Sequence, residues 1–132
     1  MFGSLELPFG ARMLFNTVKL KPGVSSEDVE LAIGEMCNVV KNTYGGDKGG
    51  FVGGQVFRFS GFASEEGSLG GVKPTDAHIA IVTYWRSFEE HERSHADQLF
   101  KQRFAALEAM CTESIELGYE MMWQGEPEAA AR

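Results

Sequence analysis

Two predicted strands of this chain are apolar on both faces, and this feature limits how the chain can fold. In residues 78–85, Ile79 and Ile81 lie opposite Ala80 and Val82. Residues 115–123 place large apolar side chains on both faces as well: Ile115, Leu117, Tyr119, Met121 and Trp123 against Met122. A sheet that is apolar on both sides must be covered on both sides. We therefore expect two separate layers of protein against this sheet.

Strand and helix patterns follow one another in the order β-α-β-β-α-β. The predicted strands cover residues 13–20, 51–60, 78–85 and 115–123, and the predicted helices cover residues 26–42 and 87–111. Ser25 and Ser87 can cap the two helices, each with an acidic residue three positions later. This order is typical of the ferredoxin-like fold, an α+β fold with a four-stranded antiparallel sheet and two helices on one face.

The helices can cover only one face of such a sheet, so a second copy of the chain is the simplest cover for the other. We predict a homodimer in the form of a dimeric α+β barrel. The folded domain is predicted to span residues 13–123, preceded by an N-terminal arm of residues 1–12 and followed by a flexible tail of residues 124–132.

Composition argues against several partners and locations. The net charge is −7, with 19 acidic and 12 basic residues, so nucleic acid would be repelled. No apolar run approaches the roughly 20 residues of a membrane helix, and no signal peptide is evident. We therefore expect a cytoplasmic protein that binds neither nucleic acid nor membrane. The 10 Phe residues favour an apolar interior that could hold a small hydrophobic ligand.

His91 and His95 are the most suggestive polar residues. They are four positions apart on a predicted helix and can reach one metal ion from the same face. A metal site needs a third ligand, and Glu116 in the last strand is the first candidate, with Glu113 and Glu120 as competitors. The alternative is that both histidines are structural, either exposed or hydrogen-bonded, and that Glu116 faces water.

Other residues could line or orient a ligand. Asn16 interrupts the apolar side of the first strand, where its amide needs a polar partner. Aromatic side chains and one thiol could contact an apolar ligand, although each is also compatible with an ordinary core: Phe57, Phe59, Tyr84, Trp85 and Cys37. Cys37 lies in the C-terminal half of its helix, which favours an inert packed thiol. Residues 61–77 form an unusually long loop that could serve as a lid or a partner contact.

The third strand ends in Tyr84-Trp85 and is followed by Ser87-Phe88-Glu89-Glu90 and a helical histidine. This pattern resembles the dimeric α+β barrel superfamily, whose best-known branch is the antibiotic-biosynthesis monooxygenase-like proteins. The resemblance spans residues 13–123. It implies that a histidine at the position of His95 is common without any metal. In a metal-free barrel that binds an apolar ligand, we expect His95, Asn16 and Tyr84 to orient that ligand.

A narrower resemblance is to sulfur oxygenase reductase, whose subunits are built on the same barrel. Its features match Cys37, the Gly-Phe-Val-Gly-Gly-Gln run at residues 50–55, the His91–His95 pair and Glu116. This resemblance implies a mononuclear iron held by His91, His95 and Glu116, with Cys37 binding substrate sulfur.

Three functions follow from these patterns. The first is a small dimeric barrel that binds an apolar or aromatic molecule under its sheet, with cofactor-independent monooxygenase-like activity. The second is a mononuclear non-haem iron enzyme of sulfur or dioxygen chemistry. The third is a non-catalytic structural or regulatory dimer. We expect the first, and elemental analysis of the purified protein separates it from the second.

Overall fold

The structure is a computed structural model that describes residues 2–70 and 78–128. Its strands and helices follow the predicted order, except that the second helix is divided in two. The elements are β1 (Arg12–Leu20), α1 (Ser26–Tyr44), β2 (Phe51–Arg58), β3 (Ile79–Trp85), α2 (Phe88–Ser94), α3 (Gln98–Glu108) and β4 (Cys111–Glu120), with a short 3-10 turn at Gly46–Lys48.

The four strands form one sheet in the order β2-β3-β1-β4, and all neighbouring strands are antiparallel. β1 and β3 are therefore the central strands, and β4 pairs with β1 alone. This is the ferredoxin-like architecture that the order of elements predicts.

The helices cover one face of the sheet and bury the core there. On β1, alternate residues point to this face: Leu14, Asn16, Val18 and Leu20, all buried. The main cluster joins Val18 to Val29 and Ile33 of α1 and to Leu107 of α3. A smaller cluster of Leu14, Val40 and Trp85 lies nearer the start of α2.

The opposite face of the sheet is apolar and exposed. Phe15 of β1 contacts Tyr119 of β4 edge to face, with ring centroids 6.4 Å apart. Ile115, Leu117 and Tyr119 share this face and are 56%, 43% and 46% exposed. β3 is thus apolar on both faces, as its sequence predicts, whereas β4 is apolar on this face alone, because its helix-facing side carries Ser114, Glu116 and Gly118. The face of the sheet opposite the helices is referred to below as the open face.

The second predicted helix is not continuous over residues 87–111. α2 ends after Ser94, whose hydroxyl donates to the carbonyl of His91 at 2.6 Å, a bond that competes with the helical ladder. Asp97 then caps α3 by accepting from the backbone N–H of Phe100 at 2.9 Å. The chain therefore turns between two short helices.

Other boundaries also differ from the sequence-based expectation. The last strand is Cys111–Glu120 rather than residues 115–123, so Met121, Met122 and Trp123 follow it. The predicted loop falls partly outside the described residues, at 71–77, and so do residues 129–132 of the predicted tail and residue 1 of the arm. The helices within the described ranges are too short or too polar to cross a lipid bilayer.

Candidate metal centre

Helix α2 presents two imidazole rings to the sheet. Ser87 caps this helix by accepting from the backbone N–H of Glu90 at 3.2 Å. His91 lies one turn into the helix, is only 3% exposed, and packs against the ring of Trp85. His95 follows the last residue of the helix and stacks on Phe100, with ring centroids 5.2 Å apart. The two imidazole centroids are 4.3 Å apart.

Strand β4 supplies a carboxylate to the same position. Glu116 lies directly opposite Asn16 in the β1–β4 register and therefore points toward the helices. Its Oε1 is 3.2 Å from His91 Nε2 and 3.9 Å from His95 Nε2. The predicted competitors are not part of this cluster: Glu113 and Glu120 lie opposite Lys19 and Arg12 in the β1–β4 register.

A second carboxylate, Glu92, contacts the opposite edges of the same rings. Its oxygens lie 3.2 Å from His91 Nδ1 and 3.6 Å from His95 Nδ1. A neutral imidazole has only one N–H, so it can donate to one of the two carboxylates but not to both. His91 is within hydrogen-bond distance of both carboxylates and, when neutral, can donate to one of them, whereas Glu92 is 69% exposed and is also open to water.

The pKa values of His95 and Glu116 are both lowered. Burial lowers the pKa of His95, and His91 lowers it further, against the raising effect of Glu116 and Glu92. Burial by itself raises the pKa of Glu116, but this is outweighed by the hydrogen bond from His91, the charges of both histidines and a hydrogen bond from Asn16. A neutral His95 and an ionised Glu116 are the forms that bind metal ions.

The arrangement fits a mononuclear metal ion. Two atoms bound at roughly 2.1 Å to one ion lie about 3–4 Å apart, which agrees with the two distances from Glu116. The ligand atoms of His91, Glu92, His95 and Glu116 all lie within 4.8 Å of one another. Two histidines and one carboxylate are the donor set of non-haem iron(II) sites, and an outer carboxylate on the other imidazole nitrogen is their usual support. These four residues are called the His–Glu cluster below.

Asn16 borders this cluster on the β1 side. Its side chain is 9% exposed and donates a hydrogen bond to Glu116. The Oδ1 atom of the same amide is buried and has no partner. The predicted need of Asn16 for a polar partner is thus met at one end of the amide and unmet at the other.

Gly118 is a residue that the sequence analysis did not single out. It faces the helices two residues after Glu116, and a Cβ at this position would lie 2.7 Å from Cε1 of Phe88. Phe88 is the first residue of α2. The missing side chain therefore lets α2 approach β4 closely, and a glycine inside a strand is the sequence signal of such a contact.

The structure does not bring all the predicted site residues together. Trp85 is 1% exposed and packs beneath His91, whereas Tyr84 lies on the open face and donates to Gln55 at 3.3 Å. Phe57 and Phe59 are about half exposed, at 51% and 42%.

Cys37 packs against the main core rather than in the His–Glu cluster. Burial raises the pKa of its thiol, which favours the unreactive protonated form.

Comparisons with known proteins show the fold. No known protein family and no curated protein matches this sequence, but solved structures match most of the chain. SnoaB, a cofactor-independent oxygenase from Streptomyces nogalater, has a TM-score of 0.64 at 16% identity and covers 90% of this chain and 99% of its own. A dimeric ferredoxin-like protein of unknown function from Thermobifida fusca has a TM-score of 0.64 at 11% identity, covering 90% and 100% of the two chains.

A third structure, a candidate antibiotic biosynthesis monooxygenase from Caulobacter crescentus, has a TM-score of 0.63 at 14% identity and covers 87% of this chain and 92% of its own. The fold is ferredoxin-like. The likeness to the antibiotic-biosynthesis monooxygenase-like proteins is confirmed at this level, since identities this low show the fold alone and the ferredoxin-like fold hosts many functions.

Proposed function

We propose that this protein is a mononuclear non-haem iron protein with oxygenase-type chemistry, centred on His91, His95 and Glu116. The observation that carries the proposal is the convergence of two imidazoles and a carboxylate, whose ligand atoms lie within 4.8 Å of one another. Iron(II) bound by two histidines and one carboxylate keeps coordination positions open for dioxygen and substrate.

The surrounding residues have distinct roles in this proposal. Glu92 would accept from the Nδ1–H group of His91 and so direct the Nε2 lone pair of that ring toward the ligand side. Asn16 holds Glu116 by its hydrogen bond. Trp85 and Phe100 pack against the two rings and limit the access of water. The apolar rings beside the two imidazoles support a substrate with an apolar body.

A cofactor-independent oxygenase is the second candidate. It is supported by the structural likeness to SnoaB over nearly the whole chain. In this version His95, which burial keeps neutral near pH 7, acts as a general base on a bound apolar or aromatic substrate, and Asn16 orients it. Tyr84 lies on the other face of the sheet and has no place in this set.

We further propose that the protein is a homodimer whose two open faces pack together. The exposed Ile115, Leu117 and Tyr119 support this proposal, as does the description of the Thermobifida fusca protein as dimeric. A non-catalytic dimer has no comparable support, because a purely structural role does not require the His–Glu cluster.

Metal analysis of the purified chain tests the first proposal. We expect about one iron per chain after anaerobic loading, because the three ligands complete one mononuclear site. His91→Ala and Glu116→Gln should each weaken iron(II) binding by more than about 100-fold. This is because losing a residue that only supports a metal ligand already costs roughly 10–100-fold in metal affinity. Isothermal titration and elemental analysis measure this.

His78→Gln is the matched control, because His78 accepts from the backbone N–H of Leu20 and lies outside the cluster. It should bind iron(II) as the wild type does. Failure of the wild type to bind the metal would exclude the iron proposal. Dioxygen consumption by metal-free protein with an aromatic substrate would then favour the cofactor-independent candidate.

A further inference from the structure

Asn16 carries a polar atom that the proposed metal ligands do not explain. Among the residues that the structure describes, Oδ1 of Asn16 is the one buried polar side-chain atom that has no hydrogen-bond partner. A buried acceptor is costly to leave unpaired, and native proteins rarely do so. Something that the chain itself does not supply must therefore donate to it.

The orientation of the amide is fixed by Glu116. The NH₂ group of Asn16 donates to Glu116, and Oδ1 is the end of the amide that is buried without a partner. The flipped amide would place two acceptors against each other. Because the amide nitrogen and oxygen share one carbon atom, Oδ1 lies close to the His–Glu cluster although it does not point at the carboxylate.

The neighbours of Asn16 within the sheet offer no side-chain donor. Leu14 and Val18 flank it on the helix-facing side of β1, and Ile81 lies opposite it on β3. All three are apolar and buried, and the backbone N–H groups of the central strands are used in the sheet. The missing donor is therefore expected from the cluster side.

We infer that Asn16 Oδ1 accepts a hydrogen bond from a ligand that occupies an open position of the metal centre and presents an O–H group. In the resting protein this ligand is water, and in the loaded protein it is a hydroxyl group of the substrate. The inference rests on the proposed metal centre and deepens it: Asn16 is a positioning residue that selects ligands able to donate a proton.

Cobalt(II) and azide are the probes. Cobalt(II) reports its ligands by visible absorption, and azide is a metal ligand with no proton to donate. In the wild type, azide must displace a water molecule that Asn16 holds. In Asn16→Leu, measured at saturating cobalt(II), azide should bind about two- to tenfold more tightly, the worth of one hydrogen bond. General damage to the site would weaken azide binding instead.

Thr17→Val is the matched control. Thr17 is the next residue of β1 and lies opposite Ile115 on the open face, so this variant should bind azide as the wild type does. Unchanged or weaker azide binding by cobalt-loaded Asn16→Leu would overturn the inference.

A crystal structure of the cobalt-loaded wild type tests the same inference without a variant and decides it if Asn16→Leu fails to fold. We expect a non-protein oxygen bound to cobalt and within about 3 Å of Asn16 Oδ1. If cobalt is bound by the three ligands but Oδ1 has no partner, or is paired with a protein donor, the role of Asn16 is overturned and the metal centre is retained. Absence of cobalt from His91, His95 and Glu116 overturns the metal centre and this inference together.

Discussion

Gly118 shows how a single residue can set the geometry of the His–Glu cluster. Gly118→Ala would push a Cβ to 2.7 Å from Phe88 and so displace the start of α2. We expect cobalt(II) affinity to fall about tenfold, in the range of outer-partner changes, and stability to fall by about 1–3 kcal/mol through overpacking. Metal titration and denaturant unfolding measure the two effects.

Gly34→Ala is the control for that change. Gly34 lies in α1, and a Cβ added there would have no neighbouring atom within 4 Å. Alanine should therefore leave metal binding unchanged and stabilise the helix by up to about 1 kcal/mol. Equal metal affinity in Gly118→Ala and the wild type would show that the Phe88 contact does not position α2.

At the residue scale, part of the candidate site could be predicted from the sequence. His91 and His95 are spaced for one helix face, and an acidic residue inside an apolar strand drew attention to Glu116. The spacing could not separate Glu116 from Glu113 and Glu120, because the choice depends on the β1–β4 register. The role of Glu92 was missed, since an exposed helical glutamate carries no distinctive pattern.

At the element scale, the turn between α2 and α3 depends on Asp97. This carboxylate caps α3 and also accepts from the hydroxyl of Tyr44 at 2.7 Å. The backbone N–H of Phe100, followed by the Tyr44 hydroxyl, lowers the pKa of Asp97. Burial and the bond to Asp97 raise the pKa of Tyr44 to about 12.

We expect Asp97→Ala to lower the melting temperature by several degrees at pH 7, because it removes a helix cap and the Tyr44 bond together. The folded pKa of Asp97 lies below its usual value of 3.8, so its contribution is present above that pH and is lost as the pH falls through the lower folded value. Melting curves between pH 7 and pH 2 should show the two proteins converging. A difference that persists undiminished at the lowest pH would contradict this.

The break between the two helices was not predicted, although both of its signals are in the sequence. Helical spacing continues across residues 87–111, and periodicity alone does not locate an interruption. The side chains of Ser94 and Asp97 bond to backbone groups in place of helical hydrogen bonds. Ser94 does so at the end of α2, and Asp97 does so at the start of α3. The order of elements was predictable because it depends on the hydrophobic pattern of whole strands and helices, which a local interruption does not change.

At the scale of the whole molecule, the open face predicts association. Leu117→Glu would place a carboxylate in the proposed interface on both copies. We expect the dimer dissociation constant to rise about thirtyfold or more, comparable to losing a central interface contact. Sedimentation velocity across a concentration series measures it.

Leu31→Glu makes the same substitution on the outer side of α1, where Leu31 is 72% exposed. It should leave the dimer intact. A wild-type chain that sediments as a monomer at micromolar concentration would contradict the dimer, and so would a Leu117→Glu variant that associates normally.

Glu116 and Leu117 are adjacent in β4, yet they belong to opposite layers of the molecule. A slip of this edge strand by one residue would exchange the two side chains between the faces of the sheet. The acid would then leave the imidazoles and enter the proposed contact between subunits, while the leucine would move beneath the helices. The pairing of one strand with β1 would thus determine both the proposed metal site and the proposed dimer interface.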